Sequence, residues 1–122
     1  MSGFSILDEL PDSFHNGMNM RVLNEQVVVR FARKHPDSRN WLNGWLTVAR
    51  NAAWQTIQDV KRDYPAADGG VKAGSGLVMT VFDVGGNKYR LITRIHYAIQ
   101  TVDVLDTLTH AQYSKDHWKR RH

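Results

Sequence analysis

The chain has 122 residues, 42% of them apolar and 10% aromatic, with three prolines: enough for one core, too few for two, and too apolar for a disordered segment. The lack of cysteine excludes disulfides, thiolate zinc sites and cysteine nucleophiles and fits a reducing, cytoplasmic setting, while no apolar run approaches the roughly 18 residues of a membrane span. Charge is uneven: residues 1–19 hold Asp8, Glu9 and Asp12 and no Lys or Arg, so from Met20 onward all 16 basic residues face nine acidic ones, a surplus that suits a polyanionic partner such as nucleic acid.

Residues 1–19 lack the basic start, apolar stretch and small-residue cleavage site of an export signal. They read as a leader. Phe4, Ile6, Leu7 and Leu10 give a short amphipathic turn before Pro11, and Ser13 to Asn19 a linker. An expression artefact, an upstream start and a partner-binding extra all fit this segment, and a single domain is expected from Met20 to His122.

Arg21 to Leu23 is a short strand candidate. Asn24 then caps a first helix with an apolar stripe at Val27, Val28, Phe31 and Ala32 and basic residues Arg30, Arg33 and Lys34 outside; Pro36 ends it near His35. Asp37 or Ser38 caps a second helix whose inward stripe is Trp41, Leu42, Trp45, Leu46, Val48 and Ala49, giving an antiparallel helical pair. Thr56 and Asp59 have capping-box spacing, so a short helical turn through Val60 is expected. Ala66 to Gly76, with four glycines, reads as a loop.

From Leu77 the apolar period changes from 3.6 to 2. Leu77 to Val84 is a strand, Gly85-Gly86 a two-residue turn, and Asn87 opens a return strand. Lys88 to Tyr97 splits by parity into a core face of Tyr89, Leu91, Thr93, Ile95 and Tyr97 and a cationic face of Lys88, Arg90, Ile92, Arg94 and His96. A strand from Thr101 to Leu108 follows a turn at Ala98 to Gln100. The fold class is α+β: a small antiparallel sheet with the helical pair on one face and a short C-terminal helix. Thr109 and Gln112 form a T-x-x-Q capping box that puts His110 at the first helical position, a phosphate site by its free N–H groups. Tyr113 and His117 follow at i+3 and i+7 on one stripe, with Lys115, Lys119, Arg120 and Arg121 around it.

The segments Val81-Phe82-Asp83-Val84-Gly85-Gly86-Asn87-Lys88-Tyr89-Arg90-Leu91-Ile92 and Thr109-His110-Ala111-Gln112-Tyr113, with Met20-Arg21-Val22 and the proline-bounded first helix ahead of them, resemble the HigB family of RelE-like toxins from bacterial toxin-antitoxin pairs, over Met20 to about Trp118. The resemblance implies a RelE-like fold and an endoribonuclease that cleaves translated mRNA on the ribosome. It also implies silencing by a helix-turn-helix, HigA-like antitoxin. The family's motif positions fall on Asn87, Arg90, His110 and Tyr113, with Lys88 and Arg94 as further cations. The leader and the Ala66 to Gly76 loop depart from the family pattern, and both could alter contacts with the antitoxin.

Metal-independent RNA cleavage needs a base for the 2′-hydroxyl, charge stabilisation at phosphorus and an acid for the 5′-oxygen. Arg90 is the candidate for the charge, His110 for acid–base work, and Tyr113 for orienting substrate, stacking or relaying a proton. Lys88, Arg94, His96, Lys115 and Lys119 are candidates for holding RNA. Each also has a plainer explanation. Arg90 suits a solvated strand residue or a partner of Asp103 or Asp106; His110 an ordinary helix start; Tyr113 a core edge; His96 an exposed histidine. Asn87 fits the turn itself and is expected to be structural, and Trp41 and Trp45, four apart, are expected in the core. His110 and His117 are seven apart with no third ligand, so neither a metal nor a cofactor is expected. A basic nucleic-acid-binding module without catalysis and a domain recognising an acidic protein remain the alternatives.

Overall fold

The computed structural model describes residues 19–122. The amphipathic turn and linker expected in the leader lie outside the described residues. The chain runs β1 (Arg21–Leu23), α1 (Glu25–Lys34), α2 (Arg39–Asn51), α3 (Ile57–Asp63), β2 (Asp68–Lys72), β3 (Val78–Val84), β4 (Tyr89–His96), β5 (Thr101–Thr109) and α4 (His110–Ser114), with 3-10 turns at Pro36–Ser38, Tyr97–Ile99 and His117–Arg121. The class is α+β, as expected.

The sheet differs from the expected antiparallel meander. Its order is β1-β5-β4-β3-β2, and β1 pairs parallel to β5 at the edge, Arg21 opposite Thr101 and Leu23 opposite Asp103. The fifth strand comes from the glycine-rich segment expected as loop: Asp68–Lys72 pairs with β3 through an irregular register, Asp68 opposite Val81 and Val71 opposite Met79. Glycine weakens a strand through backbone entropy, which masks this one in the sequence, but it also permits close approach. A Cβ on Gly69 would stand 2.6 Å from the Ile57 side chain of α3.

The helical side packs as expected. Val28, Phe31, Leu42, Trp45 and Ala49 from α1 and α2 close over Phe82, Val84, Leu91, Val102 and Val104 of the sheet. Trp45 is fully buried and meets Phe82 edge-on at 5.4 Å between centroids. Two caps work differently from their sequence signals. Asn24 is in the left-handed region (φ 63°) and makes no cap bond; its side-chain amide donates instead to Asp103 at 2.7 Å, tying β1 to β5. Ser38, buried, donates its hydroxyl to the His35 carbonyl at 2.7 Å and closes the 3-10 turn before α2. At α3, Asp59 accepts from the Gln55 N–H at 2.8 Å, but Thr56 makes no side-chain cap bond. The helix runs to Asp63, beyond the expected Val60, where Asp63 accepts from the Trp54 indole at 2.9 Å.

The opposite face is not simply cationic. Met79, Val81, Ile92 and Leu108 form a second small core there, closed by Trp118 from the C-terminal 3-10 turn. A bulge in β5 explains how. Thr93 pairs with Val104 and Ile92 with Asp106, so Leu105 is the extra residue. An inserted residue reverses the alternation, and it carries Leu108 onto the same face as Ile92.

Candidate active site

The turn between β3 and β4 has four residues, since Val84 pairs directly with Tyr89. Gly85 and Gly86 have φ of 59° and 75°, where a side chain would be strained, and Asn87 and Lys88 complete the turn instead of opening the strand. Asp83 and Arg90 are opposite each other across this ribbon. Arg90 is 8% exposed. Its Nε lies 3.2 Å from Asp83 Oδ1, one terminal nitrogen donates to the carbonyls of Asn87 (3.2 Å) and Tyr89 (3.0 Å), and the other to the Asn87 side-chain oxygen. The partner is therefore Asp83, not the Asp103 or Asp106 considered from sequence. The Asp83 contact is an ion pair, and the terminal nitrogens make three hydrogen bonds to the turn and to Tyr89.

Asn87 thus does more than shape a turn, as it fixes the guanidinium. The C-terminal helix is fastened to the same turn. His110 donates its backbone N–H to the Lys88 carbonyl at 2.9 Å, and the expected capping box forms in full: Thr109 Oγ1 accepts from the Gln112 N–H (3.2 Å), and Gln112 Oε1 accepts from the Thr109 N–H (2.9 Å). The Gln112 N–H is taken by the box as expected, and the His110 N–H, expected to be free for phosphate, is taken by Lys88. With α4 only five residues long, its dipole adds little, so the helix end alone is not an anion site.

Tyr113 lies over Arg90, the guanidinium carbon 5.3 Å from the ring centroid. It also stacks on Trp118 at 5.1 Å and 19°, and accepts the Trp118 indole N–H at its carbonyl, 3.0 Å away. Burial, and secondly the field of Asp68, raises the Tyr113 pKa above the ordinary phenol value, with Arg90 opposing, so the hydroxyl keeps its proton at neutral pH. The His110 side chain is exposed. Arg90, Asn87, Tyr113 and the His110 backbone therefore meet at one end of the sheet.

The other sequence candidates are spread out. Lys88 reaches from the turn to Asp37, 2.9 Å away, and Tyr89 donates its hydroxyl to the same carboxylate at 2.8 Å. These hydrogen bonds, Lys88 first, hold the Asp37 carboxyl below its usual range, and the carboxylate in turn raises the pKa of both partners. Arg94 and His96 share the Arg90 face but lie four and six residues along β4, about 13 and 20 Å away at strand rise. Lys115 is exposed. Lys119 pairs with Asp116 at 3.3 Å and leans over the Trp118 ring, 5.7 Å from its centroid. The expected stripe through His117 is broken: α4 ends at Ser114 and Asp116 is left-handed (φ 61°), so His117 begins a separate turn. Arg121 is paired with Asp106. Among the described residues no group of three His, Asp or Glu side chains could hold a metal ion.

Sequence reasoning missed Asp83 and Trp118. Asp83 was hidden because the expected two-residue turn puts Val81 opposite Arg90, whereas the four-residue turn puts Asp83 there; Trp118 was recoverable as the one large apolar residue in a basic tail.

A five-stranded mixed sheet, a helical layer on one face and a basic hairpin joined to a short C-terminal helix set the architectural class. A family model for the HigB toxin, the RelE-like toxic component of a toxin-antitoxin system, matches residues 38–116, well over half the chain, and the chain belongs to that family. The match spans α2 through α4, leaving β1 and α1 outside its bounds. Comparison with curated proteins finds no match. Membership carries with it an antitoxin partner. No helix among the described residues is long and apolar enough to cross a membrane.

Proposed function

We propose that this toxin is an endoribonuclease that cleaves mRNA during translation on the ribosome, without a metal ion, and that it works in the cytoplasm under a helix-turn-helix, HigA-like antitoxin. The observation that carries this is the junction at the sheet end, where the Arg90 guanidinium lies under Tyr113 while the His110 backbone is bonded to the turn that grips Arg90. Residues 20–122 are taken as the toxin domain and 1–19 as its leader.

In this scheme the ribose 2′-oxygen attacks phosphorus, the P–O5′ bond breaks, and a 2′,3′-cyclic phosphate forms. His110, exposed beside the turn, accepts the 2′-hydroxyl proton. Tyr113, kept protonated by burial, supplies a hydrogen bond or proton to the departing 5′-oxygen. Arg90 stabilises the added negative charge. Its grip on Asn87 is the part that yields, because a phosphate oxygen is a stronger acceptor for a guanidinium than a neutral amide. Lys88, Arg94, His96, Lys115 and Lys119 hold flanking phosphates, and Lys88 can do so because an exposed ion pair such as that with Asp37 exchanges readily.

The test is growth arrest on expression together with primer-extension mapping of cuts in mRNA. His110→Ala and Tyr113→Phe, at positions where folding does not depend on the removed group, should lower the cleavage rate by about 10²- to 10⁴-fold. Arrest and cutting left intact in both variants would refute the site, and salt-sensitive RNA binding with no cutting by the unaltered chain would refute the enzyme.

A further inference from the structure

Beside the candidate active site is an open cleft of about 570 Å³ whose walls include Trp41, Tyr64, Phe82, Asp83, Gly86 and Asn87. We infer that this cleft is a nucleobase subsite: it takes one unpaired base of the RNA strand, stacked on Trp41 and Tyr64, with Asp83 and Asn87 at its edge. The inference rests on the ribonuclease reading above and assigns that enzyme a base-binding pocket separate from its phosphate chemistry.

Three features support it. The first is the aromatic lining. Phe82 is 1% exposed and forms a floor, with Tyr64 edge-on to it at 5.4 Å, and Trp41 and Tyr64 tilted at 5.4 Å. Trp41 and Tyr64 are only partly buried, so ring surface remains open, and every base offers a flat face to such rings. The volume falls within the range of small-ligand pockets. The second is the polar edge. Asp83 is 36% exposed at its side chain and can accept from an exocyclic amino group, while burial pushes the Tyr64 pKa up to about 12, so that its hydroxyl remains a donor. The third is continuity. Asp83 and Asn87 line the cleft and also hold Arg90, so a base seated there brings its own phosphodiester toward the guanidinium. An acidic or aliphatic side chain from a protein partner would use the rings less fully and would gain nothing from Asp83.

Trp45, Trp54 and Trp118 are at most 3% exposed, so Trp41 is the tryptophan whose fluorescence a stacked base can quench. The full chain should be titrated with AMP, CMP, GMP and UMP, and with a single-stranded oligoribonucleotide for affinity, and its cleavage KM measured on ribosomes programmed with mRNA. Quenching is expected in the unaltered protein. Trp41→Ala should weaken oligonucleotide binding about 5- to 150-fold, whereas Trp41→Phe retains most of it. Ala66→Phe, which fills the cleft from its exposed rim and removes no packing, should give a similar loss at an unchanged melting temperature. No quenching by any nucleotide, quenching untouched by Ala66→Phe, or quenching by the antitoxin polypeptide alone would each overturn the subsite. RNA cut with unchanged KM in the folded variants sinks the subsite and spares the ribonuclease; nucleotide quenching without any RNA cutting does the reverse.

Discussion

Arg90 is held by one charged partner, and removing that partner should be costly. In Asp83→Ala the guanidinium, 9% exposed at its side chain, keeps its bonds to Asn87 and the Tyr89 carbonyl but loses its counter-charge. Breaking a fully buried ion pair costs about 3–5 kcal/mol. Asp83 is about one-third exposed and the neutral acceptors remain, so roughly half of that, about 2 kcal/mol, is expected. For a domain of this size such a loss lowers Tm by about 10 °C. Arg90→Met alone should cost less, because the freed Asp83 can turn to water. The double variant should then fall short of the sum of the two singles by about 1–2 kcal/mol, the coupling expected for residues in contact. Urea unfolding of all four proteins, followed by far-UV circular dichroism, measures this directly. Additivity within about 0.5 kcal/mol would show that Arg90 does not depend on Asp83, and the account of how the guanidinium is positioned would fall with it.

Gly86→Ala, at φ 75°, should cost about 1–2 kcal/mol and lower cleavage further, because Asn87 and Lys88 follow in the same turn; a melting curve matching the unaltered protein would contradict this. The Asp37 contacts set two limbs of the pH dependence. With its carboxyl held below the usual 3.8, stability from Asp37 is present above that value and lost as pH falls through the lower folded pKa. Lys88 and Tyr89 are raised from 10.5 and 10.0, so their contribution is present below about pH 10 and lost as pH rises through the folded values. Asp37→Asn should flatten both limbs in urea titrations between pH 2 and 11, and unchanged slopes would refute the network. Trp118→Ala removes a side chain 1% exposed and should destabilise by about 3–5 kcal/mol in urea unfolding; a loss under about 1 kcal/mol would mean that the second core contributes little.

How much of this was legible in the sequence follows from the range of each signal. The helices α1 and α2 and the strands β3 and β4 carry strong local periodicity, and their apolar stripes pack where the pattern puts them. The α4 capping box is likewise local, and both of its bonds form. What escaped depends on partners distant in sequence. β2 is a poor strand by composition and exists because β3 offers an edge to it. The β5 bulge leaves no mark in alternation until β4 is laid beside it, so the second core under Trp118 stayed hidden and the outer face looked purely basic. At the candidate site, Arg90 and Tyr113 were recognisable from their motifs. Their contact, and the role of Asp83 and Asn87 in it, required knowing that the turn has four residues and not two.

The C-terminal segment backs that contact from behind. Tyr113 stacks on Trp118, whose indole bonds back to the Tyr113 carbonyl. Beyond it the chain is fixed to the sheet: Gly74 donates its N–H to the Lys119 carbonyl at 3.0 Å, Ser75 donates its hydroxyl to the His122 carbonyl at 2.7 Å, and Arg121 pairs with Asp106. Gly74 and Ser75 belong to the β2–β3 connection, the part of the chain whose glycines looked most like a slack loop. A Cβ at Gly74 would meet the Lys119 carbonyl at an ordinary contact distance of 3.5 Å, so the tail is received by the backbone hydrogen bond and not by the missing side chain. The tail holds Trp118, Trp118 supports the Tyr113 ring, and the ring covers Arg90. A family motif split between a hairpin and a helix is thus joined twice, directly by the His110 N–H bond to the Lys88 carbonyl and through a third segment that backs the Tyr113 ring, which matters because a five-residue helix is marginal without packing partners.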